Sequence, residues 1–231
     1  MKRSFRSTAI DVAIVLICGA VLLTVMWGVT DRRATHGSRE EAPYIVIDPG
    51  HGGADGGAEA ADGTLEKQLN LAVALPLRDM LTVLGYTVRM TRESDVMLNT
   101  EGTTLRERKV SDMRNRLVMA EEADITVSIH QNKFTQPQYD GAQIFYSKNT
   151  EESRVLAESV REQIVGLLQP TNTREIKRGT ADVYLLDRAT RPMILVECGF
   201  LSNPTELNNL KTPAYQQQLA FAVTAGLMTY F

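Results

Sequence analysis

Tyr44-Ile45-Val46-Ile47-Asp48-Pro49-Gly50-His51-Gly52-Gly53 runs from four consecutive β-favouring residues straight into a glycine-rich turn that carries an aspartate and a histidine. A short apolar run that ends at Pro and Gly reads as a strand buried on both faces, the kind found in parallel sheets. Residues that do chemistry in such sheets gather just beyond the carboxyl ends of the strands. Asp48 and His51 therefore stand where a site is expected.

Downstream, Leu65, Leu69, Val73, Leu77, Leu81 and Leu84 recur at helical spacing as far as Gly85. Thr64 is expected to cap this helix, and Pro76 to bend it or cut it short. A strand over 86–90, a polar loop over 91–104 and a charged helix over 105–122 follow. Strands are expected over 124–129 and 142–146, and a helix over 153–168. The short apolar runs 183–186 and 193–196 are of strand type, and Tyr215, Leu219, Ala222, Val223, Leu227 and Tyr230 mark a final helix. Strands alternating with helices predict the α/β class: a single domain over 44–231 with a mostly parallel central sheet and helices on both faces.

Upstream, Lys2, Arg3 and Arg6 precede an uncharged stretch over 12–29 that includes Trp27. Its length comes close to the roughly 20 residues that cross a bilayer as a helix. Neither Cys18-Gly19-Ala20 nor Met26-Trp27-Gly28 makes a good cleavage site for a signal peptide. The expectation is an N-terminal signal anchor or transmembrane helix over 1–29 and a tether over 30–43. This would be a single-pass membrane protein whose 44–231 domain is extracytoplasmic.

The composition is that of a globular chain: 231 residues, 43% apolar, 23% charged, net charge −3. That balance offers no electrostatic footprint for nucleic acid. Cys18 and Cys198 are far apart and in unlike surroundings, which points neither to a disulfide framework nor to a cysteine zinc cluster.

Four places fit a strand-end site: the 48–53 turn, Glu66 at the start of the first helix, Ser128-Ile129-His130-Gln131-Asn132, and Val196-Glu197-Cys198-Gly199-Phe200. The glycines match neither nucleotide-binding fingerprint. They let the backbone turn sharply and admit a close neighbour to His51. Of the three histidines, His36 lies in the tether, while His51 and His130 both sit at strand ends. Two imidazoles and a carboxylate make an open three-ligand zinc set, and hydrolysis then needs a second carboxylate to move a proton. Glu66 and Glu197 are the candidates for those two jobs, and spacing alone does not say which does which. Cys198 reads as a small buried hydrophobe rather than a nucleophile. Asn132 either holds a ligand carbonyl or caps a strand end, and Arg178 or Lys177 could meet a carboxylate of a substrate.

At these residues the sequence resembles the zinc-dependent N-acetylmuramoyl-L-alanine amidases, the large family often called amidase type 3. The resemblance covers nearly all of 43–231. It rests on the 48–53 turn, Glu66-Lys67-Gln68-Leu69-Asn70-Leu71, Thr91-Arg92 with Asp95, Arg116 and Ser128-Ile129-His130-Gln131-Asn132. It extends through Gly141-Ala142-Gln143-Ile144-Phe145-Tyr146, Tyr184-Leu185-Leu186 and Val196-Glu197-Cys198-Gly199-Phe200-Leu201-Ser202-Asn203. It implies one Zn2+ per chain held by His51, Glu66 and His130, with Glu197 as the catalytic carboxylate. The implied reaction hydrolyses the amide between N-acetylmuramic acid and L-alanine in peptidoglycan. Gln131, the long loop over 91–105, the single domain and the short anchor most resemble the sporulation amidases. These prepare spore-cortex peptidoglycan for muramic-δ-lactam formation together with a muramic-acid deacetylase, which implies a catalytic domain in the forespore intermembrane space, and an activating accessory protein belongs to the same expectation. The competing readings are a non-catalytic peptidoglycan-binding or regulatory protein on this fold, and a zinc hydrolase for another cell-wall amide.

Overall fold

In the computed structural model, which describes residues 42–231, six strands form one sheet. They are β1 (Tyr44–Pro49), β2 (Thr87–Met90), β3 (Ile125–Asn132), β4 (Gln143–Tyr146), β5 (Lys177–Arg178) and β6 (Met193–Phe200). Their order is β2-β1-β3-β6-β4-β5. β1 runs parallel to β2 and β3, and β3 parallel to β6. β4 is antiparallel to β6 and carries β5 parallel on its outer edge. The expected mostly parallel sheet is thus present, and residues 43–231 form one compact unit.

Six helices complete the unit: α1 (Glu66–Val83), α2 (Leu105–Glu122), α3 (Glu151–Leu167), α4 (Tyr184–Arg188), α5 (Pro204–Leu210) and α6 (Pro213–Tyr230). The alternation of β6 shows how they are layered. Ile194, Val196 and Cys198 join a large core with Val73, Leu77 and Leu81 of α1, Leu156 and Val160 of α3, and Leu219 and Val223 of α6. Met193 and Leu195 point the other way, into a smaller core with Ala120 of α2 and Leu185 and Leu186 of α4. Successive strand residues face opposite sides, so helices cover both faces of the sheet.

α2 is unusual among these helices because the face it buries is largely polar. Its buried residues are Ser111, Asp112, Arg116 and Ala120. The charged pattern of 105–122 in the sequence is therefore not simply a solvated surface. Thr104 caps this helix by accepting from Glu107 N at 3.2 Å, and the Glu107 carboxylate reaches back to Thr104 N at 3.0 Å. This reciprocal pair satisfies two donors of the first turn.

Several expectations are corrected. α1 runs unbroken through Pro76. Proline removes one ladder bond, but Leu69, Val73, Leu77 and Leu81 are buried along one face and hold the helix on the sheet. The cap position of α1 is Leu65, not Thr64. The run over 183–186 belongs to a helix rather than a strand, because so short an apolar stretch has no decisive period and Leu185 and Leu186 are buried by a helical turn. The short β5 and α5 were not foreseen.

The single-pass membrane assignment is also corrected. Among the described residues no helix is long and apolar enough to cross a membrane. α1 and α2 carry charged faces, and α6 carries three consecutive glutamines and packs its apolar side against α1 and α3. The anchor expected over 1–29 lies outside the described residues.

Candidate metal centre

The first component is the turn after β1. Gly50 N donates to Ile129 O at 3.0 Å, so the chain remains tied to β3 as it leaves the strand. The next residue, His51, has φ 62° and is the one non-glycine among the described residues with positive φ. A side chain there is uncommon and costs energy, so the surroundings must enforce it. Arg116 of α2 does much of that work. Its Nη2 donates to His51 O at 2.8 Å, and its Nη1 donates to Pro49 O at 2.9 Å and to Asp48 Oδ1 at 2.5 Å. Arg92 adds Nε to Pro49 O and Nη2 to Gly50 O, each at 2.9 Å, and Asn70 Nδ2 donates to Gly50 O at 3.1 Å.

Asp48 and Arg116 are almost wholly buried. Burial works against the Asp48 charge, but Arg116, with hydrogen bonds from Ser128 and Thr91, holds its carboxyl below the ordinary value. Arg116 is further pinned by Asp112 one turn earlier on α2, at 2.7 Å.

Glu66 is the first residue of α1, and His130 lies near the end of β3. Glu66 Oε1 is 2.8 Å from His130 Nδ1, and Glu66 Oε2 is 3.3 Å from His51 Nε2. The carboxylate is also held by main-chain donors, Ala58 N at 2.9 Å and Gln131 N at 3.2 Å, and by Asn70 Nδ2 at 3.3 Å. Burial opposes the charge of Glu66, but the bonds from His130 and His51 outweigh it and hold the carboxyl well below the usual carboxylate range. His51 is shifted the other way. Its bonds to Asp55 and Glu66 overcome the effect of burial and raise it to about 9.

One ligand atom from each of His51, Glu66 and His130 lies within 4.8 Å of the others, a grouping that could hold a metal ion. Two glycines leave the space for it. A Cβ on Gly50 would lie 2.2 Å from the His130 ring, and a Cβ on Gly57 would lie 2.6 Å from Glu66 Oε2 and 2.7 Å from His51 Cδ2. The glycines of the sequence thus serve close approach, with His130 as the neighbour of Gly50. Two imidazoles and one carboxylate are the donor set of an open zinc site, so the residues present fit that ion.

Glu197 lies on β6 as the register partner of His130. Its Oε2 is shut off from solvent and has no hydrogen-bond partner. Burial, assisted by the charge of Glu66 and opposed by His130 and His51, pushes its carboxyl up to about 7. The other candidates are placed differently. Asn132 ends β3, and its carbonyl accepts from Leu201 N at 2.7 Å. Lys177 and Arg178 form exposed β5, two strands outward from β6, where Arg178 pairs with Tyr146 at the level of Ile194. That is three residues down the strand from Glu197. Cys198 is fully buried, and burial pushes its thiol up to about 12, so it stays protonated and packs as a hydrophobe.

Sequence reasoning passed over two contributors. Asp55 Oδ2 is 2.8 Å from His51 Nδ1, and Lys109 Nζ reaches Asp55 Oδ1 at 2.9 Å. The available signal was the spacing of Lys109, Asp112 and Arg116, which at i, i+3 and i+7 share one helix face.

An α/β sheet whose strand ends bring His51, His130 and Glu197 beside Glu66 of α1, in a grouping that could hold a metal ion, fits the class of metal-dependent hydrolases. The family is then set by comparison. A model of the N-acetylmuramoyl-L-alanine amidase family matches residues 45–229, and the chain belongs to that family. It is 41% identical over 190 residues to the germination-specific N-acetylmuramoyl-L-alanine amidase of Bacillus subtilis, covering 81% of this chain and 79% of that one. Among solved structures it is similar to the CwlD amidase of Clostridioides difficile in complex with the GerS lipoprotein. There the TM-score is 0.78 at 39% identity, over 81% of this chain and 98% of that one. It is also similar to the amidase AmiC2 of Nostoc punctiforme, with TM-score 0.67 at 30% identity, over 81% and 96% of the two chains.

Proposed function

We propose that this chain is a zinc-dependent amidase that hydrolyses the bond between the lactyl group of N-acetylmuramic acid and L-alanine in spore peptidoglycan. His51, Glu66 and His130 would hold the ion and Glu197 would move the proton. The observation that carries this reading is Glu197 Oε2, shut off from solvent without a hydrogen-bond partner beside a His-Glu-His grouping. A carboxyl oxygen sealed from water with no bond to make is costly, and it fits a group kept for a proton-transfer step.

When bound, zinc supplies a Lewis acid that polarises the scissile carbonyl and makes water more acidic. The remaining work falls to the chain. Arg116, Arg92 and Asn70 keep the 49–51 backbone in place, so the two imidazoles and Glu66 meet without rearrangement. Glu197, raised to about 7, is matched to taking a proton at neutral pH and giving it back. It accepts a proton as the water oxygen bonds to the lactyl carbon, and delivers one to the alanine nitrogen as the C–N bond breaks. The products are a lactyl carboxylate and a free L-alanine amine.

The similarity to a germination-specific amidase supports a role in spore-cortex processing, where muramic-δ-lactam formation would require a muramic-acid deacetylase acting in sequence. The relative seen with a lipoprotein supports an accessory partner for this chain. The test incubates the zinc-loaded full chain with denuded peptidoglycan and follows new amino-terminal alanine by labelling and mass spectrometry. Alanine exposed by the wild type and not by Glu197→Gln is the expected result. Free acetate without alanine would assign a deacetylase instead.

A further inference from the structure

The polar face of α2 serves the first metal ligand in more than one way. Lys109, Asp112 and Arg116 stand at i, i+3 and i+7, so they lie along one side of the helix. Arg116 grips the main chain on either side of Gly50, and Asp112 holds Arg116 while accepting from Leu98 N at 2.6 Å. Lys109, two turns earlier, ignores the backbone and reaches a side chain. Its Nζ lies 2.9 Å from Asp55 Oδ1, while Asp55 Oδ2 lies 2.8 Å from His51 Nδ1.

Asp55 is itself set by a tight turn. Gly52 N donates to Asp55 O at 2.9 Å and Asp55 N to Gly52 O at 3.0 Å, which folds the aspartate back over the histidine four residues earlier. A carboxylate on Nδ1 has a definite consequence for the neutral, metal-binding form of the ring: it holds the proton on that nitrogen and leaves Nε2 with the free lone pair. Nε2 is the nitrogen that faces Glu66, at 3.3 Å. Without Asp55, the ring could present either nitrogen and rotate about its own bonds.

We propose that Asp55 and Lys109 are positioning residues for His51, a relay that fixes the ring with Nε2 toward Glu66 and thereby raises the affinity of the site for zinc. The inference rests on the metal reading given above. Lys109 acts at one remove by holding Asp55 in the rotamer that meets Nδ1. Carboxylate partners of metal-bound histidines typically contribute about 10–100-fold in metal affinity. The lysine, half exposed, contributes less.

The experiment is a zinc competition titration against a chromophoric chelator, using the full chain and its Asp55→Asn, Lys109→Met, Lys109→Arg and His130→Ala variants. Asp55→Asn is expected to weaken zinc binding by about 10–100-fold, and Lys109→Met by about 2–5-fold, the range of a partly exposed ion pair. Lys109→Arg, which can still reach the carboxylate, should return to within about twofold of wild type. Nitrogen-15 spectra of the metal-free protein, recorded above pH 9 where the ring is neutral, give a second readout, since loss of the relay should mix the His51 tautomers in Asp55→Asn. Wild-type zinc affinity in Asp55→Asn overturns the proposal, whether or not its melting temperature falls. Should that variant not fold, Lys109→Met binding zinc as Lys109→Arg does overturns it equally. His130→Ala separates the two levels of inference: if it retains full zinc binding, the metal reading fails as well.

Discussion

Arg116 donates to the main-chain carbonyl of His51 at 2.8 Å, so a side chain from one helix holds the backbone of a residue whose φ is 62°. The same guanidinium neutralises Asp48, the carboxylate at the end of β1. Strand end, strained turn and helix are thereby joined through one buried cation.

Arg116→Met should destabilise the protein by about 3–5 kcal/mol, since it leaves the Asp48 charge buried and unpaired. Urea denaturation of the metal-free protein measures this. The double variant Arg116→Met, Asp48→Asn should recover part of the loss, because the orphaned charge is then gone.

Glu197→Gln should abolish peptidoglycan hydrolysis, with a fall of at least about 10²-fold, and leave zinc content near that of the wild type. It should also stabilise the metal-free protein in a pH-dependent way. The folded carboxyl titrates at about 7 against an ordinary 4.5, so between those values the unfolded chain ionises and the folded one does not. Wild-type stability should therefore decline from pH 4.5 to 7, and Glu197→Gln should exceed it by up to roughly 3 kcal/mol above pH 7. Equal stability of the two proteins at pH 8 in the presence of a chelator would contradict this.

Zinc must compete with a proton at His51. The metal-free imidazole is raised from 6.5 to about 9, and only the neutral ring is a ligand. Zinc affinity should rise with pH until about 9, and binding at pH 7.5 should release a proton, detectable by calorimetry in buffers of different ionisation enthalpy. The same shift stabilises the metal-free fold below pH 6.5, and that contribution is lost as pH climbs through 9. Chelator-treated protein should accordingly melt lower at alkaline pH.

Gly50→Ala should bring its methyl group to about the 2.2 Å approach to the His130 ring, a distance at which the imidazole must move. The expected outcome is a zinc stoichiometry well below one per chain with an unchanged far-ultraviolet circular dichroism spectrum. Gly63→Ala is the comparison: its Cβ would meet nothing within 4 Å, and at φ 84° it strains the turn without touching the site.

The β1 run and the strand-end positions of His51, His130 and Glu197 were legible because a buried strand shows as a continuous apolar run and its end as a Pro-Gly turn. Pro76 and the 183–186 run misled for the complementary reason. A helix interior tolerates a proline when Val73, Leu77 and Leu81 are buried around it, and four apolar residues carry too little period to separate helix from strand. Asp55 and Lys109 gave no such signal, because their contact joins residues 54 apart and Lys109 is one of many charges in 105–122.

The sequence by itself determined the α/β class and, through several ordered motifs, the family, and it singled out the four candidate positions, since each of these is written in local periodicity or in residue type. The tertiary structure alone decided that Lys109 and Arg116 of α2 brace a loop more than 50 residues away. It also decided that Glu197 Oε2 is left without a partner and that His51 presents Nε2 to Glu66. Those features depend on the distance and orientation of groups far apart in the chain, which only the packing of α1 and α2 against the sheet establishes.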